Sequence, residues 1–280
     1  MMDKTVLITG ATDGIGKETA RRIAERGARV FVVGRNPEKG AAAVADIKEG
    51  SANQQVEFLQ ADLSAQAEVR KLAAALRDRT QRLDVLVNNA GAILFSRQET
   101  VDGIEMTFGL NHLNYFLLTH ELLDLLKASA PARIVNVASI AHRRAVLDFN
   151  DLELKHGYGA WRAYARSKLA NIMFTYGLAR RLENTGVSAN CLHPGFVRSR
   201  FGQNNGLLAR TAVGLAMRFG NAITVAQGAE TSVHLASAPA VEGQTGQYFD
   251  ACQAVKSNQV SYDQAAQDRL WDVSMEMVGQ

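Results

Sequence analysis

The chain has 280 residues, of which 47% are hydrophobic and 21% are charged. This hydrophobic fraction is that of ordinary globular proteins and excludes wholesale disorder. The 31 Lys and Arg exceed the 28 Asp and Glu by only three, a small net charge that argues against a protein coating nucleic acid.

Apolar runs of strand length alternate with amphipathic segments of helix length along the chain. Strands are predicted over Thr5–Thr9, Arg29–Val33, Val56–Gln60, Val85–Val87, Arg133–Ala138, Ser188–Leu192 and Gln247–Phe249. Helices are predicted over Lys17–Arg26, Pro37–Lys48, Glu68–Arg79, Leu110–Leu126, Trp161–Leu182 and Val225–Ala236. The strands are apolar on both faces, as parallel strands covered by helices must be. We therefore predict a single α/β domain over residues 1–280, a Rossmann fold with a doubly wound, seven-stranded parallel sheet and helices on both faces.

The first connection, Thr9-Gly10-Ala11-Thr12-Asp13-Gly14-Ile15-Gly16, follows a strand and opens a helix. Gly10 would permit a tight turn, Gly14 would let the backbone approach a diphosphate, and Gly16 would let the helix pack close to the sheet. The helix N-terminus then offers free N–H groups to the anion. Glycines also occur in ordinary turns, but this position between strand and helix favours a dinucleotide site. A P-loop is excluded because Gly16-Lys17 is followed by Glu18 and not by Ser or Thr.

The end of the second strand indicates which dinucleotide would bind. NAD enzymes carry an acidic residue there for the ribose 2′-hydroxyl, whereas this chain has Val33-Gly34-Arg35-Asn36. A guanidinium suits a 2′-phosphate as a bidentate, charge-assisted partner, and Lys17 could contribute to the same site. The alternative is that Arg35 is simply a solvated loop charge. We expect NADP(H) to be preferred over NAD(H).

Two connections are longer than usual, residues 140–160 and residues 196–222, and both follow the carboxyl ends of predicted strands. Ligands bind at that edge of open α/β sheets, so we interpret both as substrate-lid segments. Their large apolar side chains either line an apolar substrate pocket or pack the domain or an oligomer interface. These side chains belong to Leu147, Phe149, Trp161, Phe196, Phe201, Leu207, Leu208, Met217 and Phe219.

The second half of the chain contains the candidate catalytic residues. Tyr164 and Lys168 are four residues apart in a predicted helix and therefore face the same side. A nearby ammonium stabilises phenolate and lowers the pKa of the phenol from about 10, which makes tyrosine usable as an acid or base. This spacing alone is weak, but Ser139 ends a predicted strand, where a hydroxyl points into the ligand crevice.

Cysteines and histidines exclude other kinds of site. Two cysteines, Cys191 and Cys252, are too few for a disulfide scaffold and are typical of free thiols in a reducing compartment. The six histidines are scattered singly, without the spacing of a metal site, and His193 is not needed as a base beside Tyr164. No secretory signal and no run of roughly 18 apolar residues is present. We expect a cytoplasmic protein with no metal, no membrane span and no nucleic-acid partner; a homo-oligomer stays open.

Taken together, these residues resemble the short-chain dehydrogenase/reductase family from Val6 to about Phe249. Within it, GIGKETARRIAERGARV and YARSKLANIMFTYGLARRL are most similar to the retinol dehydrogenase and WW-domain oxidoreductase group. The shared motifs, in chain order, are the TGxxxGIG turn at Thr9–Gly16, Asp62-Leu63, Asn88-Asn89-Ala90-Gly91, Asn111, Ser139, Tyr164, Lys168 and Pro194-Gly195.

The resemblance implies a role for each matching residue. Tyr164 would be the general acid or base, Lys168 would bind the nicotinamide ribose and lower the pKa of Tyr164, and Ser139 would hold the substrate oxygen. Asn111 would support a water in a proton relay to Lys168, and Asp62 would contact the adenine. Cofactor contacts are implied for Gly10, Thr12, Asp13, Gly14, Ile15, Gly16, Arg35, Asp62, Leu63, Asn89, Ala90, Gly91, Tyr164, Lys168, Pro194, Gly195, Val197 and Ser199.

The function implied is an NADP(H)-dependent oxidoreductase that transfers a hydride between nicotinamide and a small-molecule carbonyl or alcohol, with an apolar substrate as the hypothesis. The alternative is a non-catalytic NADP(H)-binding sensor or partner module on the same fold. A pure binding protein has no need of a phenol–ammonium pair. The complete set of Asn111, Ser139, Tyr164 and Lys168 therefore argues against this alternative.

Overall fold

The computed structural model describes residues 1–197 and 222–279, and its centre is an eight-stranded sheet. The strand order is β3-β2-β1-β4-β5-β6-β7-β8; all neighbouring pairs are parallel except β7 and β8, which are antiparallel. The predicted doubly wound α/β sheet is confirmed, with one strand more than expected. The strands are β1 (Thr5–Thr9), β2 (Arg29–Gly34), β3 (Val56–Gln60), β4 (Val85–Asn88), β5 (Ala132–Val137), β6 (Val187–His193), β7 (Tyr248–Asp250) and β8 (Gln253–Val255).

Strand β8 was not predicted because nothing in its sequence marks a hairpin. It has three exposed residues, and its two-residue connection to β7 is Ala251-Cys252, where both residues have positive φ. Asn-Gly or Asp-Gly usually occupies such a type I′ turn. The seven-stranded parallel sheet is therefore corrected to seven parallel strands with an antiparallel edge strand.

Helices cover both faces of this sheet. They are α1 (Gly14–Glu25), α2 (Pro37–Ser51), α3 (Gln66–Arg77), α4 (Asn114–Ala128), α5 (Ala160–Arg181), α6 (Val225–Ser237) and α7 (Gln264–Met277). Helices α1, α2 and α6 pack on one face, against Val6 and Ile8, whereas α3, α4, α5 and α7 pack on the other, against Leu7. This alternation along β1 is the period of two expected for a strand buried on both sides. Within the described residues, no helix combines the length and apolar character needed to cross a membrane.

Helix α7 was missed by sequence reasoning because its buried face is partly polar, with Gln267 and Ser274 beside Leu270. Its Trp271 packs on Phe116 of α4 and Phe174 of α5, at ring-centroid distances of 5.0 and 5.9 Å. It therefore holds together the two helices that carry or adjoin the candidate catalytic residues.

A π-helical turn, Gly109–Leu113, leads into α4 and contains the buried His112. The Nε2 atom of His112 is 3.0 Å from the Ser274 hydroxyl of α7, and the ring contacts Phe108 at 4.9 Å. Burial lowers the pKa of His112 from 6.5 to about 4, because the apolar surroundings penalise the charged imidazolium.

We expect this neutral histidine to make folding stability depend on pH. In the unfolded chain the ring binds a proton below about pH 6.5, so its contribution is complete above that pH and is lost as pH falls to about 4. The loss between pH 7 and pH 4 amounts to about 3 kcal/mol. In urea unfolding, the free energy of unfolding of His112→Gln should fall between pH 7 and pH 4 by about 3 kcal/mol less than that of the unchanged protein. The control is His156→Gln, whose side chain is 93% exposed; equal pH dependence of His112→Gln and the unchanged protein would contradict the interpretation.

Candidate active site

The glycine-rich turn between β1 and α1 is held in place by Asn89, which directly follows β4. The Asn89 side-chain amide donates to the carbonyls of Thr9 and Gly10 at 2.8 and 3.2 Å. The backbone N–H groups of Asn89 and Ala90 both donate to the Thr9 hydroxyl, at 2.8 and 3.0 Å. The Asn-Asn-Ala-Gly motif thus positions the turn.

The turn leaves no room for side chains at Gly10 and Gly16. Gly10 has φ +62°, and a Cβ there would lie 2.8 Å from the Cα of Ala90. A Cβ on Gly16 would lie 2.5 Å from the Gly10 carbonyl oxygen. Gly14 has φ +54°, and its N–H donates to the Asp13 carboxylate, which caps α1. The backbone therefore exposes a helix start at the carboxyl edge of the sheet, the arrangement that suits the diphosphate of a dinucleotide.

Other predicted cofactor residues surround this turn. A Cβ on Gly34 would lie only 2.5 Å from the Thr12 methyl group, so the turn packs closely against the end of β2. Ile15 and Val197 both contact Gly228 of α6. Leu63 is buried, and Asp62 is exposed after β3 with its carboxylate accepting from the Ser64 amide and hydroxyl.

Two cations were expected near a 2′-phosphate, and the structure distinguishes them. Arg35 is exposed directly after β2, and its guanidinium makes no hydrogen bond or ion pair with any residue of the described ranges. Lys17 forms an ion pair with Asp46 of α2. Arg35 is therefore the cation with a free charge at this edge.

Ser139, Tyr164 and Lys168 meet where β5 ends beside α5. Ser139 acts on the Tyr164 hydroxyl and opposes the rise of its pKa, and the Lys168 Nζ donates to the Val137 carbonyl at 2.8 Å. The Lys168 Nζ lies 5.8 Å from the centre of the Tyr164 ring. Tyr164 and Lys168 are only 8% and 3% exposed. The predicted set is thus assembled in one buried corner.

Burial dominates the electrostatics of this corner. It raises the pKa of Tyr164 to about 12, against the opposing hydrogen bond from Ser139, and it lowers the pKa of Lys168 to about 7. This direction at Tyr164 is opposite to the one expected from a neighbouring ammonium, because burial of the phenol itself penalises the charged phenolate. The protein's own groups therefore favour a neutral phenol and leave Lys168 titrating near neutral pH.

Asn111 lies in the π-helical turn and links it to the loop after β4 and to helix α5. Its side chain accepts from the Ala92 N–H at 2.8 Å and donates to the Ala92 carbonyl at 2.9 Å and to the Ser167 hydroxyl at 3.0 Å. A Cβ on the exposed Gly91 would lie 3.5 Å from the Lys168 Nζ, so this glycine leaves space beside the ammonium. π-Helical turns are frequent at functional sites. The proton relay through Asn111 stays a prediction.

The segments interpreted as lids are only partly within the described residues. Gly195 has φ +88° after Pro194, and Val197 pairs with Ile223. Residues 198–221 lie outside the described residues, and with them the predicted Ser199, Phe201, Leu207, Leu208, Met217 and Phe219.

The described apolar side chains divide into two groups. Leu147 and Phe149 pack against the core, whereas Trp161 and Phe196 are 62% and 51% exposed. The Trp161 ring lies 5.7 Å from the Tyr164 ring, and Ile140, 40% exposed, directly follows Ser139. Leu147 and Phe149 thus fit the alternative of domain packing, and the substrate pocket stays a prediction for Trp161 and Phe196.

Three polar residues beside Ser139 were not predicted. His142 and His193 contact the peptide group that follows Ser139, and Asn258 contacts His142. His193 and Asn258 are distant from Ser139 along the chain, so no spacing pattern indicates their contacts here. In residues 1–197 and 222–279, no three His, Cys, Asp or Glu side chains are grouped so that they could hold a metal ion.

The chain is similar to known proteins both in sequence and in fold. The family model described as short chain dehydrogenase matches residues 4–207. Retinol dehydrogenase 12 from Homo sapiens is 42% identical over 278 residues, which is 99% of this chain and 86% of that protein. An uncharacterized protein from Mycobacterium paratuberculosis has a TM-score of 0.80 at 31% identity, covering 100% of this chain and 94% of its own. The RhlG/NADP active-site complex from Pseudomonas aeruginosa has a TM-score of 0.71 at 31% identity, covering 89% and 94%.

We expect Asn89→Ala to weaken dinucleotide binding, because the turn would lose the two bonds to the Thr9 and Gly10 carbonyls. NADPH affinity, measured by fluorescence titration, should fall about tenfold or more, and the free energy of unfolding by about 1–3 kcal/mol.

Asn53 provides a matched control, since its amide also donates to two backbone carbonyls, those of Ala24 and Ala28, at 2.8 and 2.9 Å. Asn53→Ala should lose similar stability while keeping NADPH affinity. Equal effects of the two substitutions on affinity would show that Asn89 acts only through general stability.

Proposed function

The chain belongs to the short-chain dehydrogenase family of oxidoreductases, and from this premise we propose that it is an NADP(H)-dependent enzyme acting on apolar carbonyl compounds or alcohols. The observation that carries the proposal is that the half-buried Ser139 acts on the hydroxyl of the buried Tyr164, whose ring centre lies 5.8 Å from the Lys168 Nζ. This arrangement provides two hydroxyl donors that can converge on one substrate oxygen.

The chemistry of these residues follows from their protonation states. When bound, the nicotinamide would supply the hydride in reduction and accept it in oxidation. The neutral Tyr164, whose pKa is raised to about 12 by burial, can donate its proton to a carbonyl oxygen as charge develops there. Ser139 would stabilise the same oxygen by a hydrogen bond. The protonated form of Lys168 would stabilise the phenolate that remains.

The preference for NADP(H) is supported by the free charge of Arg35 at the end of β2. A 2′-phosphate offers the bidentate acceptor that a guanidinium favours, and no carboxylate stands at the strand end to repel it. The residues of the glycine-rich turn fit a dinucleotide diphosphate. The NADP complex among the similar structures is compatible with this choice.

An apolar substrate is supported by the side chains around Ser139 and Tyr164. Ile140, Trp161 and Phe196 are exposed apolar residues next to the candidate catalytic groups or to the Pro194-Gly195 turn. Exposed apolar patches on soluble proteins mark binding surfaces. The similar retinol dehydrogenase bears the name of an apolar alcohol. Lid closure over such a substrate and a cytoplasmic location stay predictions.

The function is tested by NADPH oxidation over a broad panel of aldehydes and ketones. We expect long-chain and aromatic carbonyls to be reduced with higher kcat/KM than small hydrophilic ones. Tyr164→Phe should lower kcat by about 100-fold or more, the usual contribution of a general acid, and keep NADPH affinity.

The control for this substitution is Tyr176→Phe, on the same helix, whose hydroxyl bonds to Ser257 at 2.8 Å; it should retain turnover. Near-normal turnover in Tyr164→Phe would overturn the mechanism. NADPH binding without turnover of any carbonyl would favour the sensor or partner module.

Cofactor choice is tested separately by Arg35→Ala. Loss of a charge-assisted bond to the 2′-phosphate should raise the KM for NADPH by about 10- to 100-fold, with little change for NADH. Arg26→Ala, at the exposed far end of α1, is the matched control and should change neither. Equal use of NADPH and NADH by the unchanged protein would remove the role of Arg35.

A further inference from the structure

One peptide group, between Ser139 and Ile140, is held at both of its polar atoms by histidine side chains. The Ser139 carbonyl accepts from Nδ1 of His142 at 2.6 Å. The Ile140 N–H donates to Nδ1 of His193 at 3.3 Å. Because the two atoms belong to the same rigid peptide plane, the two rings together fix the orientation of the backbone that carries Ser139.

The contacts define the protonation of each ring. Nδ1 of His142 faces a carbonyl and so carries the proton, while Nε2 accepts from the Asn258 N–H at 3.1 Å. Nδ1 of His193 accepts from both Ile140 N–H and Gly195 N–H, each at 3.3 Å, and so carries none. A proton added to either ring would place two donors against each other. Both histidines therefore work only in the neutral state.

Asn258 fixes His142 from the C-terminal side of the chain. Its side-chain amide points at the carbonyls of His142, Arg143 and Ala145, at 3.2, 3.1 and 3.3 Å. These carbonyls end the 3₁₀-helical turn Ile140–Arg144 that follows Ser139. The backbone beyond Ser139 is thereby tied to the segment after β8.

We propose that His142 and His193 are positioning residues for Ser139, and that their protonation releases the Ser139–Ile140 peptide and lowers turnover at acidic pH. The proposal rests on the function proposed above, in which Ser139 holds the substrate oxygen. His193 also binds the Gly195 N–H, so the same ring connects the substrate oxygen site to the turn assigned to the cofactor.

The surroundings of the two rings favour the neutral state. His142 is fully buried, with the Tyr248 ring of β7 edge-on at 4.9 Å. Burial lowers the pKa of both histidines, and Arg143 adds to this at each ring. At His142 the hydrogen bond to the Ser139 carbonyl opposes the lowering and His193 adds to it, whereas at His193 the charge of Asp250 of β7 opposes it. Among the described residues, these are the charged and titratable groups that act on the pair. Both rings should be neutral at pH 7 and accept protons as pH falls below about 6.5.

The test is a pair of substitutions at His193. In His193→Asn, the side-chain oxygen replaces Nδ1 as acceptor without titrating; in His193→Leu, no acceptor remains. We expect His193→Leu to lower kcat at pH 7.5 by about tenfold or more while NADPH affinity is retained. His193→Asn should keep most of kcat and move the acidic limb of its pH profile to lower pH. Lys168 titrates in every variant and contributes equally to each pH profile. The effect of His193 is therefore the difference between the acidic limb of the kcat profile of a variant and that of the unchanged protein.

His234→Leu, a half-buried histidine of α6, is the control and should leave kcat and its pH profile unchanged. A second measurement avoids substitution altogether. In the unchanged protein, ¹⁵N spectra of the imidazoles should show the Nδ1–H form of His142 and the Nε2–H form of His193. The titration of at least one ring should coincide with the acidic limb of kcat.

The outcomes separate this inference from the proposed function. If the unchanged protein reduces no carbonyl, the proposed function fails. If it does, but His193→Leu and His193→Asn have the same kcat profile as the unchanged protein, the positioning role is wrong while the function stands. Opposite tautomers, or ring titrations far from the acidic limb, would also overturn the inference.

Discussion

In a parallel sheet the backbone groups at the carboxyl ends of the strands have no further strand residue to bond, and buried N–H and C=O groups must find partners elsewhere. This requirement shapes the whole candidate site. Asn89 satisfies the Thr9 and Gly10 carbonyls after β1, and Lys168 donates to the Val137 carbonyl at the end of β5. Two histidines hydrogen-bond to the carbonyl and the N–H of the peptide group after Ser139. The candidate catalytic side chains are thus surrounded by other side chains that hydrogen-bond to the backbone at the strand ends.

Such a site is rigid because it is crowded with specific hydrogen bonds, and its electrostatics follow from the same crowding. No carboxylate accompanies the Lys168 ammonium among its described contacts, which are the Val137 carbonyl and the rings of Tyr115 and Tyr164. No opposite charge therefore offsets the desolvation of the two groups. Desolvation raises the pKa of an acid such as the phenol and lowers the pKa of a base such as the amine. The phenol is kept protonated and the amine is brought to a pKa near 7 by one cause.

Much of this arrangement could be predicted from the sequence. The apolar runs located the seven parallel strands, and the glycine-rich turn and the Tyr164–Lys168 spacing located the edge at which the site lies. What could not be predicted either departs from the usual residue preferences or depends on burial in the folded chain. The β7–β8 hairpin uses Ala251 and Cys252 where turn rules expect glycine or asparagine, and the buried face of α7 carries Gln267 and Ser274. The direction of the Tyr164 pKa shift depends on how deeply the pair is buried, which spacing does not reveal.

The Arg35 guanidinium contributes no hydrogen bond or ion pair to the described part of the folded chain, whereas the Lys17 ammonium is paired with Asp46. Surface positions of this kind can change with little effect on the free energy of unfolding. The residue proposed to face the ribose end of a dinucleotide can thus change in evolution without a compensating change in the core. Closely related chains can therefore diverge in the coenzyme they use while every other part of the site stays the same.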